Sequence, residues 1–271
     1  MDKLVDSYKN KNNFVGDLVS KKNKFSKDNK LSTGSLFFDD YLGGGYERDV
    51  ITTIYGPSGS GKTNLCLITA VKVAESGKKV LLIDTEGGVA VERIKQLSIN
   101  YELVLENIIF FQPLNFEQQV EIFSKIKSIV NNSSFEIGLI VVDSISMLYR
   151  LELGKSESIF ETNSALARQI AILVEIARSK KIPVLITNQV YADFSNKNKV
   201  KMVGGDLLKY GSKCLLEIVK RNIVEKDLDS LDDVNYTEKV SRVIFLKKHR
   251  YFPMKEGLSF KIIEKGIALL G

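Results

Sequence analysis

The sequence predicts an α/β fold, a mostly parallel sheet flanked by helices with antiparallel strands at its C-terminal end. Three observations lead there. Apolar runs of strand length alternate with segments of helical spacing through the first two thirds of the chain. A glycine-rich phosphate motif stands between one such strand and one such helix. After Gly211 the helical patterns stop and only strand patterns remain.

Residues 1–30 are rich in Lys, Asn, Ser and Asp and offer little to bury, so a loose head is expected, with one short helix around Phe14–Val19. The ordered core, residues 31–271, is expected to begin near Leu31-Ser32-Thr33-Gly34, where Ser or Thr can cap a short helix, LFFDDYL, that ends at Gly43-Gly44-Gly45. Val50–Tyr55 is a β-branched strand run, and Lys62–Glu75 is a helix stopped by Gly77. Lys79–Asp84 reads as a buried strand, Val89–Leu97 as a short helix, Ile108–Phe111 as a strand and Phe116–Val130 as a helix. Ile137–Asp143 is apolar throughout and is assigned to a strand by its length. Ser156–Lys181 is a long amphipathic helix and Pro183–Thr187 a further strand. Lys213–Val219, Val240–Lys247 and Leu258–Ile263 then read as strands joined by hairpins.

Composition limits the function classes. With 271 residues, 44% hydrophobic and 27% charged, the chain is of ordinary globular type. No apolar run approaches the ~18 residues of a membrane span, and the first ten residues are too polar for a secretory signal, so a cytoplasmic protein is expected, with no membrane partner. Cys66 and Cys214 make neither a metal spacing nor a redox pair and are expected as buried small hydrophobes. The net charge is +6, but the first thirty residues hold eight Lys and four Asp, leaving only +2 for the remaining 241. Such a charge permits nucleic-acid binding without demanding it.

Gly56-Pro57-Ser58-Gly59-Ser60-Gly61-Lys62-Thr63 fits the phosphate-loop pattern in full. Its glycines let successive N–H groups face a phosphate, and the helix that follows adds the positive end of its dipole. Lys62 is expected to reach the β- and γ-phosphates of ATP, and the Thr63 hydroxyl to ligate Mg²⁺. Asp143, at the end of GLIVVD, can hold the same ion through water, and Glu86, just past a strand end, is the candidate to orient and activate a water.

LSTGSLFFDDYLGGGYERDVITTIYGPSGSGKT, LLIDTEGG, ERI, LIVVDSISMLYR, LARQ, ITNQV and VGGDLL occur in the order seen in RecA-type recombinases. The chain resembles the archaeal RadA group and its eukaryotic relatives over about residues 31–265, and within them the short archaeal members that consist of the ATPase core alone. This resemblance implies a RecA-type core and assigns further roles. Arg93 in ERI matches an adenine-stacking arginine, Gln189 in TNQV a glutamine thought to sense the γ-phosphate and relay it to DNA-binding segments, and Glu86 in DTEG the catalytic carboxylate.

The resemblance also implies two DNA-facing loops. The first, Arg150–Asn163, offers Arg150 and Lys155. The second, Val190–Gly205, offers Lys197, Lys199 and Lys201 for phosphates, with Tyr191 and Phe194 for stacking on the bases of a single strand. Lys248, His249 and Arg250, at the end of a C-terminal strand, are expected to complete a neighbour's ATP site in a homo-oligomer or against the principal recombinase, His249 lending a pH-dependent charge. Departures from the full recombinases are equally specific. A mildly basic stretch of thirty residues stands in place of a helix-hairpin-helix domain, no Phe-x-x-Ala motif precedes residue 31, the second loop is shorter, and Ser156 replaces a common basic residue. The expected function is therefore a DNA-binding recombination and repair accessory with weak ATP hydrolysis, acting beside the RadA-type recombinase. A full strand-exchange enzyme and a nucleotide switch for protein partners are the alternatives.

Overall fold

A computed structural model describes residues 29–155, 158–192, 200–226 and 236–270. Twelve strands and eight helices succeed one another among them: β1 Lys30–Leu31, α1 Leu36–Tyr41, β2 Tyr46–Glu47, β3 Ile51–Gly56, α2 Lys62–Glu75, β4 Lys79–Asp84, α3 Val91–Leu97, α4 Tyr101–Asn107, β5 Ile108–Phe111, α5 Phe116–Asn132, β6 Ile137–Asp143, α6 Met147–Leu153, α7 Ile159–Lys180, β7 Val184–Ala192, β8 Val200–Met202, α8 Gly205–Gly211, β9 Cys214–Lys226, β10 Tyr236–Lys248, β11 Leu258–Ile263 and β12 Gly266–Leu269. One sheet runs β12-β11-β10-β9-β3-β7-β6-β4-β5, with β8 paired to β7. Its β9-β3-β7-β6-β4-β5 portion is parallel, and β9 to β12 are antiparallel hairpins, as expected.

Side-chain alternation along the central strands builds two cores. Val80, Leu82, Leu139 and Val141 face Leu65, Leu67, Ala70 and Val71 of α2. Leu81, Ile83, Ile140 and Val142 face Phe123 and Ile126 of α5 and Leu166, Ile170 and Leu173 of α7. A parallel sheet covered on both faces needs such continuous apolar strands, which is why GLIVVD carries no period-two signal. Asn115 and Ser158 cap α5 and α7 by accepting from the N–H groups of Gln118 and Glu161. Cys66 and Cys214 are buried and unpaired, and burial pushes the Cys214 thiol up to about 12.

Several boundaries differ from the sequence expectation. Helices α4, α6 and α8, each only seven residues long, and strand β12 are additional to it. β7 runs on from Thr187 to Ala192, because Tyr55 and Gly56 continue to pair with Asn188 and Gln189, and β8 then pairs with Val190–Ala192. α1 is begun by Ser35 without a side-chain cap; Asp39 in its first turn accepts instead from the Thr33 N–H at 2.6 Å. Asn29 donates to Asp49 at 3.1 Å and Lys30 to the Leu42 carbonyl at 2.9 Å. The expected Phe14–Val19 helix lies outside the described residues. Among the described residues no helix is long and apolar enough to cross a membrane.

Candidate nucleotide-binding site

β3 delivers the phosphate loop and α2 leaves from it. At Gly56 a Cβ would stand 2.3 Å from the Ile218 carbonyl oxygen, so only glycine lets the loop start against β9. Gly59 and Gly61 have φ of +66° and +100°, the left-handed conformations that turn the chain back into α2. Gly61 caps α2 with no side-chain acceptor, so the first-turn N–H groups are left for a ligand. Lys62 is buried, and its Nζ donates to the carbonyls of Gly56 at 3.1 Å and Pro57 at 3.0 Å, inside the loop. Burial lowers the Lys62 pKa, opposed by Glu86 and Asp143 and assisted by Lys220.

The acidic side comes from two adjacent parallel strands that place Asp84 opposite Asp143. Asp143 is 3% exposed; one oxygen accepts from Thr187, Oδ2 is buried without a partner, and the Thr63 hydroxyl lies close enough to favour the charged carboxylate. Burial raises the Asp143 pKa, and the two hydroxyls counter it. A carboxylate oxygen left without a donor beside a threonine hydroxyl fits a hydrated divalent cation, so Thr63 and Asp143 can hold Mg²⁺. Asp84, which the sequence alone does not single out, shapes the turn that carries Glu86. Its carboxylate accepts from the N–H groups of Glu86 at 3.1 Å, Gly88 at 3.2 Å and Val89 at 3.0 Å. A signal for it exists, since a strand-end Asp before a polar turn is a common acceptor for backbone N–H groups. Glu86 is exposed and accepts from Gln189 Nε2 at 2.9 Å, a contact between two residues to which the family resemblance assigns separate roles.

Arg93, on α3, is locked in place. Its Nε donates to Asn64 Oδ1 at 2.8 Å, Nη1 to the Glu264 carbonyl at 2.7 Å and Nη2 to the Ile263 carbonyl at 3.0 Å. The guanidinium thus spans from the first turn of α2 to the β11–β12 turn. With Ser58, Gly59, Gly61, Lys62, Thr63, Glu86 and Asp143 it lines one cavity of about 270 Å³. That cavity also contains Arg242 and Ile262 of the C-terminal hairpins, which sequence reasoning misses because strand positions far from any motif carry no mark of what they face.

The second group of expected residues lies around a separate cavity of about 900 Å³ between α6, the end of β7 and α8. Arg150 and Tyr191 line it with Tyr149, Leu153 and Tyr210. Lys155 is exposed on the turn after α6. Arg150–Asn163 is not a loop, however. α6 and the start of α7 occupy most of it, because Leu148 and Tyr149 are buried and the Tyr149 hydroxyl donates to Asn163 at 2.5 Å. In the second segment β8 pairs Lys201 with Tyr191, so both ends of the expected loop form a short hairpin. Phe194, Lys197 and Lys199 lie outside the described residues.

Lys248, His249 and Arg250 fall at the end of the sheet away from the phosphate loop, beside the start of β3, and the chain itself occupies them. Arg250 is ion-paired with Asp49 at 2.6 Å and Glu47 at 3.0 Å, and Lys248 donates to the Ser212 carbonyl at 2.9 Å. The His249 side chain is 2% exposed, and burial holds its pKa below the ordinary value despite Glu47 nearby. Burial thus works against a charged His249, and a role for Arg250 across an interface requires its release from two carboxylates.

A sequence model of the Rad51 family matches residues 25–240. "DNA repair and recombination protein RadB" of Methanobrevibacter smithii is 39% identical over 246 residues, covering 90% of this chain and 97% of the relative. The protein of the same name from Methanocaldococcus jannaschii is 39% identical, over 85% and 98%. Among solved structures, a crystal structure of the RadB recombinase superposes with a TM-score of 0.68 at 35% identity, covering 89% of this chain and all of the other.

Proposed function

This chain belongs to the Rad51 family, and we propose that within it the protein binds ATP and Mg²⁺, engages single-stranded DNA and assists a principal RadA-type recombinase in homologous recombination and repair. One observation carries the reading. The hydrogen bond from Gln189 to Glu86 links the catalytic end of the phosphate site to β7, which leads directly into the basic segment 193–199. Asn188 and Gln189 are also bound to the returning chain, through the Val203 carbonyl at 2.8 Å and the Val203 N–H at 3.2 Å. Whatever moves Gln189 therefore moves both arms of the hairpin.

In this reading Lys62 and the first-turn N–H groups of α2 would hold the phosphates, and Arg93, which lines the same cavity, would contact the base. Thr63 and Asp143 hold Mg²⁺, which neutralises phosphate charge when bound. Glu86 positions the attacking water and takes its proton. The relatives' name, DNA repair and recombination protein, supports recombination and repair, and the intrinsic turnover of a phosphate-loop site lacking a partner's cation is as low as ~10⁻⁴ s⁻¹.

The test is Glu86→Gln. The amide oxygen can still accept from Gln189, so geometry persists while the base is lost. Turnover is expected to fall by about 10²–10⁴-fold with ATP affinity changed less than about threefold. Undiminished turnover removes Glu86 from the chemistry, and a protein that hydrolyses nothing even with single-stranded DNA present is a nucleotide switch instead.

A further inference from the structure

We infer that Lys220 on β9 and Arg242 on β10 form a second, same-chain half of the phosphate clamp and grip the polyphosphate of the nucleotide from the hairpin side of the loop. The inference rests on the nucleotide reading of the site and deepens it.

The two residues are direct cross-strand partners in the antiparallel β9–β10 pair. Their side chains therefore leave the same face of the sheet, and like charges placed directly opposite are destabilising. Among the described residues nothing acidic relieves them. Among the described residues Lys220 has no hydrogen bond or ion pair, and Arg242 has only a 3.4 Å contact from Nη1 to the Val240 carbonyl of its own strand. Arg242 Nε is moreover buried without a partner, an unusual state for a guanidinium nitrogen.

Both cations abut the phosphate loop at its glycines. A Cβ on Gly59 would lie 2.9 Å from Lys220 Nζ, and one on Gly61 would lie 3.3 Å from Arg242 Nε. Lys220 is also close enough to act electrostatically on the Lys62 ammonium. Three cations thus converge on one loop from three elements, two of them far from it in sequence. Repulsion of that kind persists in a fold when a polyanion relieves it, and the ligand a phosphate loop accepts is a polyanion. The hairpin sheet, which otherwise only extends the fold, acquires a task in the site.

A purely structural pair and a clamp differ in sign, which makes the test decisive. ADP, AMP and adenosine are titrated with Mg²⁺ against wild type, Lys220→Ala, Arg242→Gln and Lys62→Ala, and melting is followed without ligand. The clamp predicts ADP binding weakened about tenfold or more in both hairpin variants, AMP weakened less, adenosine unchanged, and a ligand-free melting temperature equal to or above wild type. Arg242→Lys, which keeps the charge, recovers part of the ADP affinity. Wild-type ADP affinity in both hairpin variants, with Lys62→Ala impaired, overturns the clamp alone. A ligand-free melting temperature lowered in both, with ADP affinity intact, assigns the pair to packing. Failure of the wild-type protein to bind ADP removes the nucleotide reading and the clamp together.

Discussion

Lys62→Ala is expected to lose ATP hydrolysis, with turnover down by about 10²–10³-fold, the usual cost of deleting one donor to the transition-state charge. ATP affinity should fall by roughly 10- to 100-fold, since a charge-assisted hydrogen bond contributes about 1.5–3 kcal/mol. The reason is visible in the loop. The Lys62 ammonium is enclosed by it, and its two carbonyl partners hold the Nζ where a phosphate oxygen would compete for it. The fold should survive, because α2 is anchored by Leu65, Cys66, Leu67 and Ala70 rather than by Lys62. Calorimetry and a phosphate-release assay check both effects, and unchanged affinity and turnover in a folded variant would mean that the loop is not the nucleotide site.

Replacing Lys197, Lys199 and Lys201 together by Ala is expected to weaken single-strand binding by about 10- to 100-fold at low salt. Removing one lysine–phosphate pair should also reduce the slope of log affinity against log salt by about 0.7. Three such pairs account for a change of about 2 in the slope. Lys201 is placed on β8 opposite Tyr191, beside the cavity that also takes Arg150, so a strand engaging one of these residues passes the others. An unaltered slope shows that these lysines are a solvated turn.

Much of this is legible in sequence for physical reasons. The phosphate loop is readable because its glycines are demanded by backbone conformation, and because a strand must precede it and a helix follow. The central strands β4 and β6 match their expected bounds to the residue, because burial on both faces leaves uninterrupted apolar runs. The role of Gln189 is reachable only through family resemblance, and its contact with Glu86 escapes because 103 residues separate partners that touch by way of strand order. Short helices such as α6 and α8 escape because seven residues hold too few turns to show a period. Lys220, Arg242 and Asp84 escape because their roles depend on what they face. The same limit hides what Lys248, His249 and Arg250 face within the chain. A basic strand end looks free in sequence, and only the fold brings Glu47 and Asp49 across from 201 or more residues away.

Nucleotide binding at the loop, on this mechanism, governs single-strand binding by the segment beyond Gln189. The measurement that tests it most directly is a salt titration of oligonucleotide binding by the wild-type protein, with no nucleotide, with ADP and with ATP, each with Mg²⁺. Coupling of the two sites predicts binding that falls steeply with salt and is several-fold tighter with ATP than with ADP or none. Identical affinity and identical slope in all three conditions would contradict it.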